Sequence, residues 1–438
     1  MHRIGKIAAL LTAFSLTFSA ASTKADALAR LKPAKLEATH QAVQRLRQEV
    51  RPRPRDGEYR EHRANLHVHS HWSHDSRGRL DEIVHAAKAV GTSVLMFTEH
   101  PADHYDFFEQ GHRGVRDGVL LIPGAETQGF LAFPTLSLRG QNWGNPQEFS
   151  DLVRGRSGQM FVSHPEERMD WSIRGVTGME IYNTHADFKD EKAMLNSLRN
   201  PLWLLQVADT IRQYPQEAYS ALQDYPADYL KRWDELCLES PHTGVSANDA
   251  HQNVGLAIRW LSDNQARLED ALEKPLLELD LNAIPNQAML REGKKPGDLV
   301  FRFQLDPYEH SLRHVGTHLL LREFSEAGVR EALDEGRAFV AFDWLADATG
   351  FDMQIVNGNQ RLVMGKQNPW RSGMELHAHA PLAGHWRVVR NGQLIHESQG
   401  SSLTLTLTEP GVYRCEVWLD VAGDRMPWIL SNPIYLQK

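Results

Sequence analysis

Between Asn65 and Asp75 the chain reads Asn-Leu-His-Val-His-Ser-His-Trp-Ser-His-Asp, with His67 and His69 at the end of a short apolar run. The run predicts a β-strand, on which residues two apart share a face, so both imidazoles can reach one ion from a single backbone segment. Neutral imidazoles and carboxylates suit zinc, manganese and iron. The pattern then returns. A run from Thr92 to Phe97 ends in Thr98-Glu99-His100, one from Val119 to Pro123 ends in Gly124-Ala125-Glu126, and Met160-Phe161-Val162 ends in Ser163-His164. Near the close of the pattern, Gly244 to Ala247 leads into Asn248-Asp249-Ala250-His251, where Asp249 and His251 repeat the i, i+2 spacing. A lone His-x-His also fits a histidine-rich surface strand. Repetition at the ends of several runs argues for a shared site.

Two ions that share a carboxylate sit about 3.5–4 Å apart, and water between them loses its proton near neutral pH. The hydroxide attacks a phosphorus or carbonyl centre while the ions absorb the negative charge that develops. Other hydrolytic devices are missing from the sequence: there is no Gly-x-Ser-x-Gly elbow, no phosphate loop ending in Gly-Lys-Ser/Thr and no His-Glu-x-x-His helix.

Between the apolar runs lie helix-like segments such as Leu80 to Val90, where Ile83, Val84, Ala87 and Val90 recur at helical spacing. Strand, ligand and helix in repetition predict an α/β barrel, whose active site gathers residues from the carboxyl ends of several strands.

The motifs in this order resemble those of the PHP family, named for polymerase and histidinol phosphatase. They are His67-Val-His69-Ser70 with Asp75, Thr98-Glu99-His100, Glu126, His164-Pro165 and Asp249-Ala-His251, and Met179-Glu180-Ile181-Tyr182-Asn183 is similar to a strand before the last motif. The resemblance spans Arg63 to Trp260. Trp233-Asp-Glu-Leu, the Ser246-x-x-Asp-Ala-His ending and Gly336-Arg-Ala-Phe-Val340 are similar to the CehA/McbA-type hydrolases of that family.

The resemblance implies a distorted (β/α)7 barrel and a metal-dependent hydrolase. It also implies an anionic small-molecule substrate, first a phosphate ester, with a carbamate, carboxylic ester or amide as the alternative. A non-catalytic extracellular binding protein is the third reading. One ion is expected on His67, His69, Glu126 and Asp249, with Glu126 shared, and a second on Asp75, His100 and His251. A third needs Glu126, His164 and a further histidine, but Phe130 to Gly140 offers only Pro134 and Thr135 where it is expected. Two or three divalent ions (Zn, Mn or Fe) are therefore expected, with Glu126, Asp249 and His164 as the catalytic set.

Other residues carry open alternatives. Glu99 either supports a neighbouring ligand or is an exposed loop carboxylate, and His74 competes with Asp75 for the ligand position. His185 is a substrate contact, a ligand to a third ion or a polar loop residue. Arg113, Arg116 and Arg259 offer guanidinium forks to a phosphate or lie solvated on the surface. His104, His112 and His242 have the chemistry without the repeat.

His2, Arg3 and Lys6 precede an apolar stretch from Ile7 to Phe18, and small residues follow, with cuts expected between Ala21 and Ala27. This reads as a secretory signal peptide over residues 1–25, too short to span a membrane, which implies a periplasmic or secreted protein. Its removal leaves 45 basic against 56 acidic residues, a net charge of −11. That balance argues against a nucleic-acid partner. The two cysteines, Cys237 and Cys415, fall in different units and are expected to be free.

Residues 26–56 read as one helix, Leu28 to Val50, and a Pro/Arg linker. The barrel is placed at 57–349, with a helical insertion at about 187–240 that packs on it or covers the site. The helix from Ser325 to Gly336 and the strand Phe339 to Phe342 are expected to complete it. From about Gly350 alternating segments such as Leu403-Thr-Leu-Thr-Leu-Thr predict a small antiparallel sandwich over 350–438. Nothing in the sequence bears on oligomeric state.

Overall fold

In the structure, a computed structural model, the described residues are 27–55, 57–191, 209–280 and 291–437. The expected signal peptide and residues 192–208 of the expected insertion lie outside them. The apolar runs form strands: β1 (Arg60–Val68), β2 (Val94–Phe97), β3 (Gly114–Arg116), β4 (Val119–Ile122), β5 (Ala125–Thr127), β6 (Phe130–Phe133), β7 (Gln159–Val162), β8 (Gly178–Asn183) and β9 (Thr243–Ala247). β1, β2 and β4 run parallel, as do β7, β8 and β9. All of β2, β4, β6 and β7 is buried, which suits their near-continuous apolar character.

The two parallel groups meet at isolated bridges, Val68 with Ala250 and Glu99 with Ala125. Across the first seam His69 N–H donates to Ala250 O at 3.0 Å and Ala250 N–H donates to His67 O at 3.2 Å. Across the second, Glu126 N–H donates to Glu99 O at 3.2 Å. The backbone of the ligand-type residues thus closes the ring of strands.

Helix Leu80–Ala89 buries Ile83, Val84 and Ala87, the periodic residues of the sequence. It ends where Gly91 takes φ +79°, with Thr92 N–H donating to Ala87 O and Gly91 N–H to Lys88 O. Such a left-handed stop falls to glycine because a Cβ there would be strained. Helix Glu326–Asp334 starts at Ser325, whose hydroxyl accepts from Gly328 N–H at 3.1 Å.

Several expectations need correcting. β6 runs antiparallel to both β5 and β7, so the strand–helix repeat breaks there. The two-residue turn between β5 and β6, Gln128 (φ +54°) and Gly129 (φ +83°), is a hairpin connection that leaves no room for a helix. The expected first helix is two, Ala27–Arg30 and Pro33–Glu49, because Pro33 opens a helix well but cannot continue one.

The segment after Ala338 does not add another parallel unit. β14 (Gly316–Leu321) pairs antiparallel with the first half of β1, and β15 (Ala338–Ala341) pairs antiparallel with β14. Before them, β10 (Gly255–Ser262), β11 (Gln265–Asp270), β12 (Pro275–Asp280) and β13 (Leu299–Gln304) form a separate four-stranded antiparallel sheet that the sequence reading did not anticipate.

Beyond Asp352 the described residues form strands and no helix: β16 (Asp352–Asn357), β17 (Gln360–Val363), β18 (Gln367–Pro369), β19 (Glu375–Arg390), β20 (Gln393–Thr406), β21 (Gly411–Val421), β22 (Asp424–Ser431) and β23 (Ile434–Gln437). β22 pairs with β15, so one sheet runs from β17 through β22, β15, β14 and β1 to β3. Trp344, Trp386 and Trp428 fill the core beneath it. Cys237 and Cys415 are both free and buried.

Candidate metal centre

β1 delivers His67 and His69 on one face, and the segment after β9 delivers Asp249 and His251 opposite them. Two groups of donor atoms result: His67, His69, Glu126 and Asp249, and His69, Asp75, His100 and His251. In the first, His67 Nε2 lies 3.2 Å from Asp249 Oδ1 and 3.3 Å from Glu126 Oε2, and His69 Nε2 lies 3.5 Å and 3.6 Å from the same two oxygens. In the second, Asp75 Oδ2 is 3.3 Å from His251 Nε2 and 3.4 Å from His100 Nε2. Tetrahedral bonds of about 2.1 Å place ligand atoms roughly 3.4 Å apart, so both groups have the spacing of a metal cage. His69 belongs to both groups, whereas the sequence reading gave it to one.

The hydrogen bonds behind the cage show which nitrogen is free to bind. His67 Nδ1 lies 2.8 Å from Glu180 Oε1, an acceptor, so Nδ1 carries the proton and Nε2 the lone pair. His251 Nδ1 faces the Asp249 carbonyl at 3.0 Å, with the same consequence. Ser73 Oγ gives its one proton to Glu99 Oε2 at 2.7 Å and therefore accepts from His69 Nδ1 at 3.0 Å. Nε2 of His67, His69 and His251 and Oδ1 of Asp249 are buried with no hydrogen-bond partner. Electron pairs buried face to face are costly unless a cation lies between them, so the donor set fits divalent ions.

Protons compete for the same lone pairs. Burial alone would lower the His67 and His251 imidazoles, but Asp249 beside both holds them well above the ordinary value. His164, which burial also opposes, is raised to about 10 by Glu126 and Glu166. His69 goes the other way, down to about 3, through burial and the neighbouring His251. Glu126, Asp249 and Asp75 fall below the carboxylate range because the imidazoles outweigh their burial.

His164 Nε2 approaches Glu126 Oε1 at 2.9 Å and Asp249 Oδ2 at 3.5 Å. His185 Nδ1 meets Asp249 Oδ2 at 2.7 Å from a ring nearly half exposed. Asp249 and His164 take φ of +49° and +46°. Asp and His tolerate this left-handed backbone better than most residues, at a cost of about 1–2 kcal/mol each. The turn it makes aims each side chain back over the end of its strand.

Residues 65–201 match the PHP domain. The PHP match ends before Asp249 and His251, which the fold returns to it. The chain is also similar to the crystal structure of a two-domain protein containing a predicted PHP-like metal-dependent phosphoesterase from Bacteroides vulgatus ATCC 8482. The two are 14% identical over 87% of this chain and 98% of that one, with a TM-score of 0.37. That likeness is too loose to fix an arrangement or a chemistry. No curated protein matches the chain.

The fold does not bring the three arginines to the cage. Arg113 pairs with Glu326 at 3.2 Å, Arg116 with Asp81, and Arg259 with Glu269 and Glu273, both at 2.9 Å. Residue type suggested phosphate contacts, and carboxylates elsewhere hold the three guanidinium groups. His74 packs its ring 5.0 Å from that of His100 and belongs to neither donor group, while Asp75 belongs to one. Glu99 is buried and accepts from Ser70 and Ser73, so it is not an exposed loop carboxylate. His112 Nε2 lies 3.3 Å from Ser70 Oγ beside it. His104 packs on Tyr105, and His242 Nδ1 donates to Ser240 O.

Two residues of the site were given no role there by the sequence reading. Glu180, fully buried, also accepts from His164 N–H at 2.9 Å and Asn183 Nδ2 at 2.8 Å. Its signal was a carboxylate in an otherwise apolar strand. Glu166 Oε1 lies 3.2 Å from His164 Nδ1 and is in turn bonded by the Tyr229 hydroxyl of helix Ala227–Glu239. The helical insertion therefore touches the site.

Proposed function

We propose that this protein is an exported metal-dependent hydrolase, first of a small phosphate ester. The observation that carries the reading is the set of buried, unpartnered donor atoms from His67, His69, Asp249 and His251 at ligand spacing. One ion would be held by His67, His69, Glu126 and Asp249, and the other by Asp75, His100 and His251 with His69 between them. Divalent ions bound there supply ionised water near neutral pH and neutralise charge on the attacked centre.

The chain's own part is positional. Glu180 and the Ser73–Glu99 pair orient the two β1 imidazoles, and Glu126 and Asp249 face both the β1 pair and His164. His164 keeps a proton at Nε2 against Glu126, where it can be passed to a departing oxygen. A third ion on Glu126, His164 and His185 belongs to the same proposal, as the alternative to that proton, which it would displace from His164. So does export, which rests on the amino-terminal sequence pattern.

One observation favours the alternative substrate class. Arg113, Arg116 and Arg259 are engaged with carboxylates, and Lys189 near the site pairs with Glu167 at 2.9 Å. A dianionic phosphate would then gain nothing from these four side chains, whereas a carbamate, ester or amide of CehA/McbA type makes no such demand. Metal analysis of purified protein together with rates on aryl phosphates, aryl esters and aryl carbamates decides between them. At least two ions per chain and phosphate turnover are expected. Carbamate turnover without phosphatase activity transfers the assignment to the alternative, and one ion or none per chain defeats both.

A further inference from the structure

A cleft of about 170 Å³ opens directly beside the cage, with Asp249 and His251 in its wall. Helix Thr184–Asp190 forms one side through His185 and Phe188, and Tyr219, Val254 and Ser311 line the rest. Its polar side chains are mostly committed elsewhere. Asp306 accepts from Asn253 N–H, Val254 N–H and Gln304 Nε2. Asn248 Nδ2 donates to the Ser311 and Val315 carbonyls, while its Oδ1 accepts from Asn65. Thr184 Oγ1 donates to Ala247 O, and Lys189 at the rim is held by Glu167. Besides the Asp249 and His251 atoms that face the cage, what the described residues offer a ligand is mainly apolar surface from Phe188, Tyr219 and Val254, with the Tyr219 and Ser311 hydroxyls, which lie against one another, as polar groups.

We infer that this cleft receives the non-reacting part of the substrate, and that this part is uncharged and about the size of one six-membered ring. The inference rests on the hydrolase reading above and narrows it. An apolar cavity of roughly 150 Å³ is enough to take up benzene, so a single ring fills this one and a second would project into solvent. Among the described residues Asp306 is held by three hydrogen-bond donors, Asp249 belongs to the cage and Lys189 is held by Glu167, so neither a second anion nor a cation on the substrate finds a free partner among them.

The test is calorimetric binding of non-hydrolysable probes to the zinc-loaded full-length protein, so that turnover is not needed. Phenylphosphonate is expected to bind about tenfold or more tighter than methylphosphonate, with no further gain for 1-naphthylphosphonate. Val254→Phe, which puts a ring into the cleft from a partly exposed position, is expected to remove the phenyl advantage while leaving methylphosphonate affinity in place. Benzoate against acetate repeats the comparison with another head group. Equal affinity for phenyl and methyl probes, a continued gain with naphthyl, or a Val254→Phe protein that still prefers phenyl overturns the inference. If phosphonates fail but benzoate outbinds acetate, the cleft assignment stands and the phosphate-ester reading falls. If no probe binds with either head group, both fall.

Discussion

Glu180 shows what one side chain can do for the cage without facing it. Its Oε1 fixes His67 through Nδ1, and its Oε2 takes the backbone N–H of His164, so one carboxylate aligns donors from two strands. A carboxylate behind a ligating imidazole sets the tautomer and raises basicity, and its loss typically weakens metal binding 10–100-fold. Glu180→Gln keeps the shape and removes the charge. It should weaken zinc binding at the His67 group by about that factor in equilibrium dialysis; wild-type affinity would reduce Glu180 to a packing residue. The primary donors were legible because alternation on a strand puts His67 with His69 and Asp249 with His251 on one face. The arginines were not, since a guanidinium suits phosphate wherever it lies and nothing in local spacing says which way Arg113, Arg116 or Arg259 points.

Helix Tyr308–His314, between β13 and β14, ties two ligand segments from behind. The Tyr308 hydroxyl donates to His69 O at 2.7 Å and lies 2.8 Å from Ser76 Oγ, which donates to His251 O at 3.0 Å. The His69 and His251 rings stack with centroids 3.8 Å apart, so slack in either backbone would separate them. Loss of one such buried hydrogen bond costs about 1 kcal/mol. Tyr308→Phe should therefore weaken zinc binding by roughly fivefold to tenfold in a zinc titration, at both steps, because His69 belongs to both groups. Wild-type affinity at both steps would show that the Tyr308 hydroxyl does not hold the ligand segments. Helices Leu80–Ala89 and Glu326–Asp334 were readable from their spacing and their Gly91 and Ser325 ends. Strand direction was not, because alternation looks the same in either sense, and so β15 was expected to complete the barrel when it pairs antiparallel with β14.

For the whole molecule, the charges of the cage couple stability to pH. Without ions, His164 holds its proton up to about 10, while the unfolded chain releases it near 6.5. That share of stability is complete below about pH 6.5 and drains away as pH rises toward 10. Glu166, lowered to about 2 from 4.5 despite its burial by His164 and Tyr229, contributes fully above about pH 4.5 and loses its share as pH falls toward 2. Chelator-treated protein should melt highest between about pH 4.5 and 6.5 and fall on both sides. Zinc should raise the melting temperature more as pH increases, because ligation needs deprotonated imidazoles. A melting temperature with chelator that stays level from pH 6.5 to 9 would contradict the account. At this scale the mixed α/β character and the strand-only region beyond Asp352 were visible in the sequence. The continuity of one sheet across Gly350 was not, since it depends on β15 meeting β22 far along the chain.

The bridge between Val68 and Ala250 has a consequence for anyone who would trim this protein. The part that carries the recognisable signature, residues 65–201, holds His67 and His69 but neither of their counterparts across the seam. Excised on its own it would present β1 with a bare edge and leave each donor group one ligand short, a piece unable to shut itself around an ion. Subcloning by signature would discard what makes the signature work.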